Sequence, residues 1–172
     1  MDQPLRERIK SARALVEMTI AKVRDLTLLL RPSMLDDLGL IAALRWHARE
    51  VSRRTGIPVE VSAGGIAEDL PDEYRTCIYR VVQEAVNNAI LHAKPRAMRI
   101  TLVQQPQEVE VSVQDDGAGF DPQWDRGAGI LGMKERVENL GGAMRIDSNP
   151  GRGSILAFVL PLAEVPLAKT NS

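Results

Sequence analysis

Cysteine is nearly absent: Cys77 stands alone among 172 residues. No disulfide can form within the chain, and that fits a reducing compartment. No apolar run approaches the ~20 residues of a membrane-spanning helix. The opening MDQPLRERIK lacks the order of charged, apolar and small residues that marks a secretory signal. The chain is therefore expected to be cytoplasmic, either by itself or as the cytoplasmic part of a longer, membrane-attached protein. Strong charge of one sign is missing too. A net charge of −1 sets up no field that would draw the chain to nucleic acid or to an anionic membrane, so no nucleic acid contact is expected. Histidine occurs only at His47 and His92. There is no internal repeat.

What is present is ordinary for a globular protein: 44% hydrophobic and 26% charged residues. Over residues 5–30 apolar side chains recur at helical spacing with no Gly or Pro between them. This predicts one amphipathic helix of about seven turns, ended by Pro32. The linker RPSMLDDLG follows, then a second helix over about 40–54, closed by Gly56 and Pro58. Two helices bury little by themselves, so this pair is expected to need a partner or a dimer mate.

A different unit begins near Ile57. IPVEVS alternates like a strand. Asp72 is a candidate N-cap for a helix reaching about Ala93. MRITLVQQ and EVEVSVQD read as strands joined at Pro106 and Gln107, AMRIDS and SILAFVLPL as two more. ILGMKERVENL is a helix stopped by Gly141 and Gly142. Helices punctuate pairs of adjacent strands. The expected fold is α+β: a two-layer sandwich, with a mixed, largely antiparallel sheet, helices on one face, and a long helix in front. The expected domains are 1–55, helical; 56–163, the α+β unit; and 164–172, a tail.

Three segments carry chemistry. In EAVNNAILHA, residues 84–93, Glu84, Asn88 and His92 lie four apart and line one face of a largely apolar helix, with Asn87 beside them. A solvated polar edge is one explanation. Against it, Asn is a poor helix former. An amide oxygen and a carboxylate facing one cleft suit Mg2+, which keeps several waters and takes few protein ligands.

DDGAGF, residues 115–120, directly follows a strand. A calcium loop is excluded, because the positions needing oxygen ligands hold Gly117, Gly119 and Arg126. Two glycines one residue apart let the backbone approach a flat ligand, and a carboxylate at the strand end can accept from an exocyclic amine.

GAGILG, residues 127–132, opens a helix. It formally fits the dinucleotide fingerprint, but no strand precedes it and no strand–helix repeat follows. What survives is a glycine-rich loop entering a helix N-terminus, where free N–H groups and the dipole favour phosphate.

Together these segments resemble the GHKL superfamily of ATP-binding domains, the Bergerat fold. Its four boxes appear as EAVNN, DDGAG, GAGILGM and GRGS. Within it the chain is similar to bacterial sensor histidine kinases of the nitrate-sensor and degradation-sensor type. LLLRPSMLDDLGLIAALRWHAREVSRRTGI resembles their second dimerisation helix and connector, and LHA and GMKERVENLGG follow their style. The resemblance implies ATP and Mg2+ as cofactors. It implies that Asn88 binds Mg2+, that Glu84 orients or deprotonates the attacking group, and that Asn87 borders the site. Asp115 would accept from the adenine amine, with Gly117 and Gly119 letting the base approach and Ser154 behind Asp115. Gly127, Gly129, Ile130, Leu131, Gly132, Met133 and Lys134 would form the lid. His92 would line the phosphate side; a satisfied core histidine is the alternative.

The chain departs from the pattern in three places. Leu91 stands where many relatives carry a cation, leaving Lys94 or Lys134 to supply the charge. Ser154 replaces the usual Thr. The acceptor histidine of the first dimerisation helix is missing: His92 belongs to the pocket, and His47 beside Arg45 and Trp46 reads as a packed or surface helix residue. The implied function is the catalytic part of a two-component histidine kinase that cannot phosphorylate itself as this chain. Its partners would be an acceptor helix, a response regulator and a second copy through residues 5–30. Two other functions remain open: a serine kinase of the anti-sigma type, and a dimerising module gated by ATP without turnover.

Overall fold

Period-two alternation and a 3.6-residue apolar period partition the chain, and the folded molecule follows both. The structure is a computed structural model describing residues 33–65, 70–119 and 128–162. The helix expected over 5–30, the tail 164–172 and Gly127 lie outside the described residues.

Three α-helices are described: α1 (Ser33–Thr55), α2 (Asp72–Asn88) and α3 (Ala128–Glu138). They accompany five strands, β1 (Val59–Gly64), β2 (Met98–Gln105), β3 (Glu108–Asp115), β4 (Ala143–Ser148) and β5 (Ser154–Pro161). The strands form one sheet in the order β1-β2-β3-β5-β4. Only the β1–β2 pair is parallel; the other three pairs are antiparallel. The sheet is therefore mixed and largely antiparallel, as the sequence predicts.

Alternation decides which face is covered. Met98, Ile100 and Leu102 on β2, Val109, Val111 and Val113 on β3, and Leu156, Phe158 and Leu160 on β5 are buried. The interleaved Arg99, Val103, Gln105 and Gln114 are exposed. Against the buried face pack Ile78, Val81, Val82 and Val86 from α2, with Met133 and Val137 from α3. A fully buried Leu, Val or Phe contributes about 1.5–3 kcal/mol by the area it removes from water, so this single layer carries the fold.

The first helix solves its burial problem within the chain. Leu40, Ala43, Leu44, His47, Ala48 and Val51 recur at three and four residues and are all buried. Leu35, Leu40, Ala43, Leu44 and Val51 join the same cluster as the sheet. For this second half of the expected helical pair, no dimer mate is required. The expected helix begins after Gly39, as the sequence suggested, and a short helical stretch over 33–38 precedes it in the presumed linker. Gly39, at φ 80°, separates the two, a backbone angle that glycine adopts without steric cost. A side-chain bridge then fixes the strand that follows. Ser52 Oγ donates to the Ala48 carbonyl at 2.9 Å and accepts from the Val59 amide at 3.1 Å.

Two expectations for α2 are corrected. Asp72 is not the N-cap but the first helical residue; Pro71 precedes it and supplies no side-chain cap. Asp72 instead pairs with Arg75 one turn on. Nor does a regular α-helix reach Ala93. Ala89–Ala93 is a π-helical turn, closed by the Lys94 amide on the Ala89 carbonyl at 3.2 Å.

Candidate active site

Asp115 is the last residue of β3. Alternation carries its carboxylate to the covered face, in phase with Val111 and Val113, and it is 6% exposed. The two oxygens are held separately. Oδ1 accepts the Gly117 amide at 2.8 Å, and Oδ2 accepts the Ser154 hydroxyl from the facing residue of β5. Each carboxylate oxygen keeps further acceptor capacity, so a fixed, buried acceptor is presented at the end of a central strand.

The backbone next to it cannot carry side chains. A Cβ on Gly117 would come within 2.5 Å of the Ala93 carbonyl oxygen and 2.6 Å of the Ala93 Cβ. Gly119 has φ +63°, and a Cβ there would collide with the Asn149 carbonyl. The loop is stitched to the end of the π-turn by the Ala118 amide on the Ala93 carbonyl at 2.8 Å, and to the β4–β5 turn by the Gly151 amide on the Ala118 carbonyl at 2.6 Å. The loop after β3 thus joins the asparagine-bearing helix to the GRGS turn.

A second carboxylate, Asp116, follows Asp115 directly. Asp115 ends β3 facing inward, and Asp116, just past the strand, is exposed. Asp116 is the outward one. Its Oδ1 accepts the Arg96 and Ala97 amides at 2.7 and 2.9 Å, and these hydrogen bonds hold its carboxyl below the usual range. It clamps the start of β2 to the loop.

Glu84 and Asn88 are half-buried on α2. They converge on the start of α3: a Cβ on Gly129 would lie 2.5 Å from Glu84 Oε1 and 3.5 Å from Asn88 Nδ2. Carboxylate, amide and a bare stretch of α3 backbone therefore meet at one point. Asn87 is half-buried beside them. His92 is exposed on the π-turn, so it is no core histidine. The wider turn also means that Glu84, Asn88 and His92 do not continue one uniform helical line. On α3, Met133 is buried, Ile130 packs partly on the core, and Leu131 is 57% exposed. Nothing presses on Gly132. Lys134 pairs with Glu138 at 3.6 Å on the exposed face of α3. Lys94 caps the π-turn in the left-handed conformation and is exposed. Among the described residues, no group of three His, Cys, Asp or Glu side chains could hold a metal; this concerns an all-protein cage, and an amide with one carboxylate is a different donor set.

Residues 73–164 match the family described as histidine kinase-, DNA gyrase B- and HSP90-like ATPase. The chain belongs to this family. It is 36% identical over 159 residues to an oxygen sensor histidine kinase, NreB, of Staphylococcus carnosus, covering 90% of this chain and 46% of that protein. It is 34% identical over 164 residues to the histidine-protein kinase/phosphatase DegS of Brevibacillus brevis, covering 94% and 42%. The chain thus spans less than half the length of these relatives. The likeness drawn from GMKERVENLGG and the preceding connector, to sensor kinases of this type, holds. Among solved structures, the blue-light activated histidine kinase of Erythrobacter litoralis EL346 matches with a TM-score of 0.65 at 24% identity, covering 94% of this chain and 64% of that one. That match supports the fold alone: a histidine-kinase-type α+β domain with its preceding helical segment.

Proposed function

We propose that this chain binds Mg-ATP and donates the γ-phosphoryl group to a histidine on a helix outside the chain, as the catalytic part of a two-component sensor histidine kinase. The observation that carries this reading is the double convergence just described: Glu84 and Asn88 meet the lid at Gly129, and Asp115 stands buried and oriented beside the bare backbone of Gly117. The residues fit the nucleotide. Asp115 accepts from the adenine amine, with its second partner, Ser154, keeping the carboxylate in place. Gly117 and Gly119 leave room for the base. Gly127, Gly129, Ile130, Leu131, Gly132, Met133 and Lys134 form the lid over the phosphates, and His92 lines their side with Asn87. Asn88 is the protein ligand of Mg2+, whose charge would neutralise the phosphate oxygens. Glu84 orients or deprotonates the attacking imidazole. Phosphoryl transfer asks for positioning and charge neutralisation more than covalent help, which agrees with a site built of an amide, carboxylates and backbone N–H groups.

In this reading residues 1–55 are the dimerisation segment with its connector, 56–163 the catalytic domain and 164–172 a tail. The connector part, α1, shares its core with the catalytic sheet. Residues 5–30 pair two copies, a response regulator takes the phosphoryl group onward, and the chain works on the cytoplasmic side.

The test is incubation with γ-labelled Mg-ATP, alone and with a histidine-bearing acceptor helix in trans. Label should appear on the helix only, and Glu84→Gln should lower the rate by about 10²–10⁴, the usual worth of general acid–base help. Label on His47 or His92 of the chain itself contradicts the reading.

A further inference from the structure

The helix α1 has a second face that neither the core nor the nucleotide site uses. Between Leu40 and Thr55 the sequence places Arg45, Arg49, Arg53 and Arg54 against a single acid, Glu50, in a chain of net charge −1. Arg45, Arg49 and Arg53 lie four apart, so they rise along one ridge at about 6 Å per step. All three are exposed, and Trp46, on the same side, is 43% exposed. Glu50 is engaged by Arg53 at 2.7 Å. Arg45 and Arg49 make no ion pair among the described residues.

We infer that the Arg45–Trp46–Arg49–Arg53 ridge is a docking surface for a carboxylate-bearing helix or face of another protein. Charge complementarity gives the sign of the partner. The kind of cation gives its chemistry: α1 has arginines and no lysine, and the planar guanidinium grips carboxylates in pairs of hydrogen bonds and gives up its water more readily than an ammonium. Trp and Arg are the residue types that dominate protein–protein hot spots. The ridge is also preorganised. Its reverse side, Leu44, His47, Ala48 and Val51, is locked into the core, so little ordering entropy is lost on docking. An anionic membrane fits less well. An interfacial helix inserts its apolar face, and here that face is already buried, leaving Trp46 as the large apolar group on the ridge.

The inference is independent of the nucleotide site, which rests on other elements. Its probe is a helical peptide with Glu at every fourth position and Leu beside them. A control peptide of the same composition gathers its Glu residues at one end. Binding to the full chain is read by anisotropy of the labelled peptide. The spaced peptide should bind at least tenfold more tightly than the control. Arg45→Glu with Arg49→Glu should remove that binding, while Arg45→Lys with Arg49→Lys should weaken it about threefold. ATP binding of both variants should match the parent, marking an intact fold. Equal binding of spaced and control peptides, or of parent and charge-reversed chain, overturns the proposal. So does binding only to phosphatidylserine vesicles, or self-association that disappears in the charge-reversed chain, since either assigns the ridge to a different occupant.

Discussion

Asp115 and Asp116 are neighbours in sequence and opposites in role. The first points into the covered layer, where a main-chain amide and a serine hydroxyl orient it; the second faces out and staples the start of β2. The two-residue period of β3 points Asp115 inward, while Asp116, just past the strand end, is held outward by the Arg96 and Ala97 amides. At this scale the strictest demand is at Gly117, where the colliding neighbour is backbone and a Cβ rather than a flexible side-chain end. Gly117→Ala should therefore cost about 1–3 kcal/mol of stability, in the range of overpacked sites, and abolish nucleotide binding; urea titration and calorimetry check the two effects separately. Gly129→Ala differs, because Glu84 Oε1 can swing aside. Its fold should survive while phosphoryl transfer falls. Cys77 has a simpler fate. Burial pushes its thiol up to about 11, and its Sγ lies 3.6 Å from the Arg136 carbonyl. It should stay unreactive toward a disulfide reagent at pH 8 in the folded chain and react at once in denaturant.

Among the elements, α1 holds the most testable feature. His47 is 8% exposed, stacks edge-on against Tyr79 with centroids 6.1 Å apart, and its Nε2 has no hydrogen-bond partner in the structure. Burial first, and the Arg54 charge second, hold its imidazole below the ordinary value of 6.5. The sign follows. The unfolded chain takes up a proton as pH falls through 6.5, and the folded chain resists until a lower pH, so stability is full above 6.5 and is lost as pH falls below it. His47→Leu should flatten that slope, seen as a smaller change in urea midpoint between pH 7.5 and 5.5. The elements also show what the sequence could disclose. Strands β2 and β3 are legible to the residue, because alternation and the Pro106–Gln107 turn fix both ends. The π-turn at 89–93 was not legible, since AILHA has the composition of an ordinary helix and only the bond from the Lys94 amide to the Ala89 carbonyl reveals it. Nor was the docking of α1. Its apolar spacing gives a buried stripe, while the identity of the covering surface is a long-range fact. The boxes were legible as motifs, yet their meeting at Gly129 and Ala93 required the fold.

At the scale of the whole molecule, residues 73–164 belong to the ATPase family. The chain spans less than half the length of its sensor-kinase relatives. In the proposed reading, the half-buried amide of Asn88 turns this domain into a Mg-nucleotide site. Calorimetry of ATP binding with and without Mg2+, on the chain and on Asn88→Ala, decides the point. Mg2+ should tighten binding at least tenfold, about 1.4 kcal/mol, and Asn88→Ala should erase this gain while leaving Mg-free binding in place. Binding that ignores Mg2+, or a Mg2+ gain that survives Asn88→Ala, contradicts that reading.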